Sequence, residues 1–141
     1  MTVKPIPEGF HTVTPYLIVD GVPGLIDFLK NAFGAELVSD LKAPDGSIFH
    51  ASVKIGNSMV MMGDSNEDYP PMPTSLYLYV EDTDAVYQQA LQAGAESIQE
   101  PEDQFYGDRT AHVKGPYGNI WSFATQIEEL TSEEIHKRLE Q

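Results

Sequence analysis

The chain has 141 residues, 41% of them hydrophobic and 21% charged, which suits one globular domain that buries a core without cross-links. Eight Lys and Arg against 22 Asp and Glu leave a net charge of −14, so nucleic-acid backbones and anionic membranes are poor partners. There is no cysteine, which removes disulfides, zinc–thiolate sites and thiol nucleophiles together. The N-terminal Met1–Pro7 stretch has no apolar targeting core, and the expected location is the cytoplasm.

Thr14–Gly21 alternates apolar and polar residues and reads as a strand. A helix is expected from Pro23, with an apolar stripe of Leu25, Phe28, Leu29 and Ala32 and a glycine stop at Gly34. Glu36–Leu41 is a further strand, and Phe49–Ile55 turns at Gly56-Asn57 into Ser58–Met62 as a hairpin. The charged, proline-broken stretch at about residues 65–73 is a linker.

From Ser75 the order repeats. Tyr16 and Tyr77, Leu17 and Leu78, and Val19 and Val80 each stand 61 positions apart. A helix near Asp84 carries Val86, Tyr87, Ala90 and Leu91 and stops at Gly94. Strands follow at Glu96–Glu100, Thr110–Lys114 and Ile120–Thr125, the last two joined around Gly118-Asn119. Residues 128–141 form a tail whose short helix Thr131 or Ser132 can cap. The fold class is therefore α+β: two tandem βαβββ modules, about residues 10–64 and 74–127, plus a C-terminal helix.

Two copies of this module, with the strings Phe105–Thr110 and Gly115–Thr125, resemble the vicinal-oxygen-chelate superfamily of glyoxalases, bleomycin-resistance proteins and dioxygenases, in its PhnB-like branch. The resemblance spans roughly residues 10–127. It implies cupped mixed sheets around a pocket and a two-fold homodimer. It also implies four His or Glu metal ligands, one on the first and one on the last strand of each module. Here those positions hold Thr14, Ser75, Ser122 and either Val60 or Met61, depending on the register of the Gly56-Asn57 turn. None is an imidazole or carboxylate, so no metal or other cofactor is expected.

Alternation along the strands gives the expected pocket face. Leu17, Val19, Ala51, Val53 and Trp121 belong on the helix side, which leaves Tyr16, Ile18, Ser52, Tyr77, Tyr79 and Ser122 toward the pocket. Tyr106 and Arg109, from the family-like string, join them as ligand-binding candidates, and His50 and His112 are the candidate bases. No Asp or Glu is expected on this face. Most strand tyrosines and histidines are structural, and Arg109 can equally pair with a nearby acid. His11 and His136 read as solvated. The leading expectation is a metal-independent protein that binds a small organic molecule in a tyrosine-lined cup. The alternative is a lyase or isomerase of the same fold that uses a pocket histidine or a relocated metal. Phosphate loops, nucleophile elbows and His-Glu-x-x-His helices are absent.

Overall fold

Each half of the chain lays one helix across one face of a four-stranded sheet in the computed structural model, which describes residues 3–141. The chain divides into a unit that ends at Thr74 and a unit from Ser75 to Gln141. In the first, β1 (Tyr16–Val19), α1 (Val22–Phe33), β2 (Glu36–Lys42), β3 (Ile48–Ile55) and β4 (Ser58–Asp64) form a sheet of order β1-β4-β3-β2. In the second, β5 (Ser75–Tyr79), α2 (Thr83–Gln92), β6 (Glu96–Asp103), β7 (Asp108–Lys114) and β8 (Ile120–Gln126) form the order β5-β8-β7-β6. α3 (Ser132–Leu139) follows. No helix among the described residues is long and apolar enough to cross a membrane.

The repeat holds at the level of hydrogen-bonded register. Tyr16 pairs with Met61 and Ile18 with Gly63, while Tyr77 pairs with Ser122 and Tyr79 with Ala124, all in parallel ladders. Met61, and not Val60, is thus the counterpart of Ser122. The register was ambiguous in sequence because the second hairpin loop is longer: Ile55 faces Ser58 directly, whereas Lys114 faces Ile120 across Gly115–Asn119.

Helix ends follow local chemistry. Gly34 takes a left-handed φ of 66° after α1, and its N–H donates to the Lys30 carbonyl, so the last turn is closed. The N–H groups of Gly21 and Val22 donate to Asp64 Oδ1 at 3.2 and 3.3 Å, which sets a carboxylate at the positive end of α1. In α2 the Asp82 side chain accepts from Ala85 N–H, and the cap residue after the helix is Ala93, one position before the expected Gly94. Thr131 and Glu134 close a capping box on α3.

Alternation then sorts the faces. Leu17, Val19, Ala51, Val53 and Met62 pack under Val22, Leu25, Ile26, Phe28, Leu29 and Ala32 of α1. Ala111, Val113, Trp121 and Phe123 pack with Tyr87 and Ala90 of α2. α2 also buries Thr83, which the apolar stripe could not reveal. Its hydroxyl donates to the Arg109 carbonyl and lies 2.9 Å from Thr125 Oγ1, so a polar pin fixes the helix start over β7 and β8.

Candidate functional site

On the second sheet, the face away from α2 carries a connected row of polar side chains. Register places Tyr77 beside Ser122, Ser122 beside His112, and His112 beside Gln99. Ser122 Oγ lies 2.7 Å from His112 Nδ1, which orients the ring and leaves Nε2 as its second position for a partner. The neighbouring row runs from Tyr79 through Ala124 to Thr110. Thr110 is fully buried beneath Gln99 and Gln104, whose amides donate to its hydroxyl at 3.2 and 3.1 Å.

At the end of β7 stands the group that sequence reading missed. Asp108 is only 6% exposed, and the hydroxyls of Tyr79 and Tyr77 donate to its Oδ2 at 3.0 and 3.4 Å. The expectation of a face without acidic residues is therefore corrected. β7 begins at Asp108, two residues earlier than its alternation suggested, and Asp108 shares parity with Thr110 and His112. Tyr106, in the turn before β7, hydrogen-bonds with Tyr77 and packs edge-on against Phe105.

Tyr77 and Tyr79 are held protonated in this cluster. Burial, followed by the nearby Tyr106, Asp108 and Tyr79, pushes Tyr77 well above the ordinary phenol range. For Tyr79, itself 68% exposed, the hydrogen bond to Asp108 is the leading cause of an upward shift. A phenol whose folded pKa is raised keeps a proton that the unfolded chain gives up. Its stabilising contribution is full below the unfolded value of about 10 and fades as pH climbs above it. Urea midpoints measured from about pH 9 to about pH 11 are expected to fall, with a shallower fall in Tyr77→Phe. Equal slopes in the two proteins would mean that Tyr77 is not held this way.

Other candidates fall elsewhere. Arg109 has the opposite parity to Asp108 and pairs with Thr125. Its guanidinium binds Asp84 of α2 at 3.1 Å and Asp103 at 2.9 Å. It ties α2 to the sheet on the helix side, the face opposite Tyr77 and Tyr79. In the first unit, Tyr16, Ile18, His50 and Ser52 do share the face away from α1. The Tyr16 and His50 rings lie 5.6 Å apart, and Tyr16 lies close over Gly63, where a Cβ would meet its hydroxyl at 2.5 Å. His11 and His136 are exposed, and Ser132 carbonyl lies 2.7 Å from His136 Nδ1.

The family's metal positions do not offer a divalent ion a donor set. Ser122 is engaged with His112, and Ser75 sits one row away beside Ile120. In the first unit, Met61 presents a thioether opposite Tyr16. Thr14 precedes β1 in the lining of a separate cavity of about 360 Å³ with His11, Val13, Pro15, Asn57, Ser58 and Met59. Neutral hydroxyls and a thioether are weak ligands for zinc, nickel or manganese. Among the described residues no three His, Asp or Glu side chains gather as a metal site.

Residues 9–123 match the model of the Glyoxalase/Bleomycin resistance protein/Dioxygenase superfamily. The Mycobacterium bovis protein Mb0911c, itself described as uncharacterized, is 35% identical over 137 residues, covering 87% of this chain and 88% of its own length. Among solved structures, TioX from Micromonospora sp. ML1 aligns with a TM-score of 0.68 at 24% identity, covering 81% of this chain and 98% of TioX. The PhnB protein from Bacillus cereus aligns with a TM-score of 0.65 at 20% identity, covering 82% of this chain and 99% of that one. At these identities the two structures share the fold with this chain, and the family assignment rests on the sequence match. The chain belongs to the glyoxalase/bleomycin resistance protein/dioxygenase superfamily.

Proposed function

We propose that this protein binds a small, partly aromatic or amphipathic organic molecule on the tyrosine face of the second sheet, without a divalent metal. The observation that carries the reading is the convergence of Tyr77, Tyr79 and Tyr106 on the buried Asp108, with the rings still exposed to solvent. Tyrosine offers apolar area and a hydroxyl together, and a ligand here would also meet the Ser122–His112 pair. A homodimer is part of this reading. The exposed Leu37, Val38 and Leu41 on edge strand β2 are apolar surface that a second copy would cover.

A second reading is favoured by one contact. Ser122 fixes the His112 ring at 2.7 Å beside Tyr77, so Nε2 could take a proton from a bound substrate while a phenol polarises it, as in a lyase or isomerase. Ligand-observed NMR of chelator-treated protein against a set of aromatic fragments separates these outcomes. Saturable binding that is unchanged by added zinc, nickel or manganese and is weakened in Tyr77→Ala is expected. Binding that appears only with metal, or that ignores Tyr77, would sink the proposal. Turnover of a bound fragment lost in His112→Gln would put the second reading first.

A further inference from the structure

Asp108 poses a charge-balance problem. A buried carboxylate is costly unless hydrogen bonds and an opposite charge compensate it. Tyr77 and Tyr79 supply the hydrogen bonds. No described Lys, Arg or His forms an ion pair with Asp108: the ion pairs join Lys4 to Glu8, Arg109 to Asp84 and Asp103, and Arg138 to Glu128. Arg109, its chain neighbour, is turned to the other face. Arg138 donates to the Phe105 carbonyl, yet its charge is met by both Glu128 oxygens at 2.8 Å. Lys114 shares the strand face but stands six residues along, on the order of 20 Å away.

Around this carboxylate stand aromatic rings in two pairs, one tilted and one edge-on. Tyr77 and Tyr79 have centroids 5.4 Å apart at 59°, and Phe105 and Tyr106 have centroids 5.2 Å apart at 90°. Tilted rings present both faces and edges, and a cation seated within about 6 Å of a ring centroid is attracted by the π face. Tyr77 and Tyr79 are also held in their neutral form. The protein as a whole, at −14, draws cations toward it.

We propose that this face takes an organic cation: a protonated amine or quaternary ammonium carried on an apolar or aromatic body, with its charge beside Asp108 and among Tyr77, Tyr79 and Tyr106. This rests on the reading of the face as a small-molecule site and names the chemistry of the molecule. The apolar body would lie along Tyr77 toward Ser122 and His112. A neutral ligand of the same shape fills the rings but leaves the carboxylate without a countercharge. An anionic ligand is repelled.

NMR titration of the full chain with choline, benzyltrimethylammonium and choline's uncharged carbon isostere, dimethylbutanol, tests this. Choline is expected to bind at least about tenfold tighter than the isostere, with benzyltrimethylammonium tighter again. Asp108→Asn should erase the preference for charge. Tyr79→Leu, at an exposed position, should weaken the cations by about fivefold and dimethylbutanol far less. If Asp108→Asn does not fold, as melting curves would show, Tyr79→Leu decides alone. Equal affinity for choline and its isostere, or a preference that survives in the variants, overturns the proposal. Should uncharged aromatic fragments then still shift the Tyr77 and His112 resonances, only the cation inference falls. Should no ligand shift them, the small-molecule reading of the face falls with it.

Discussion

Gly107→Ala is expected to lower the melting temperature by on the order of 10 °C and to disorder the tyrosine cluster. Gly107 holds φ at +98°, a conformation that costs a side-chain-bearing residue about 1–2 kcal/mol. A Cβ there would also come 2.7 Å from the backbone oxygen of Glu128 and 3.4 Å from Leu130 Cδ1. A side chain could swing aside, but this neighbour is main chain. It cannot retreat cheaply, because the N–H groups of Ile127 and Glu128 both donate to the Gly107 carbonyl. Overpacking adds about 1–3 kcal/mol, for a total of roughly 2–5 kcal/mol. Tyr106 and Asp108 flank the strained residue, so ligand affinity should fall with stability. Gly118→Ala is the internal control. Its φ is +88° with nothing within 4 Å of the added Cβ, so it should show the strain alone. Matching melting curves for the two variants would mean that the close approach at Gly107 is wrong.

The fold was legible because its signals are local and occur twice. Strand alternation, a glycine after each helix and a hairpin turn recur at one spacing, and each reports backbone geometry that any fold must obey. Parity alone also placed Trp121 with the core and Ser122 with the site. What escaped depends on where an element starts. Gly107-Asp108 reads as a turn pair, since both residue types favour turns. The structure instead starts β7 at Asp108, and two steps of alternation back from His112 through Thr110 would have reached it. The same count separates Arg109, which falls in step with Ala111 and Val113 on the helix side. The shared role of Tyr106 needs the β6–β7 turn to fold back, and no periodicity encodes that. Thr83 escaped for a different reason: a buried hydroxyl is satisfied by partners distant in sequence, Arg109 and Thr125.

The largest single effect on folding is expected at Trp121, and its neighbour makes it a test of the site. Trp121 is 1% exposed and pairs with Val113 and Leu76 in the layer beneath α2. Trp121→Ala removes the largest fully buried side chain among the described residues and leaves a cavity, at a cost of about 3–5 kcal/mol. Ser122, one residue on, faces the other way, and its hydroxyl oxygen lies 2.7 Å from His112 Nδ1. Ser122→Ala loses one hydrogen bond, worth about 1 kcal/mol, and frees the His112 ring. Denaturant unfolding and ligand titration of both variants should therefore give opposite patterns. Trp121→Ala is much less stable, yet the fraction that remains folded keeps its affinity. Ser122→Ala folds nearly as well as the parent but loses affinity or turnover at His112. A reversed pattern, with the serine carrying stability and the tryptophan carrying binding, would require β8 to slip by one residue. That slip would send every side chain of the strand to the opposite face and dissolve the row from Tyr77 to His112 on which the site depends.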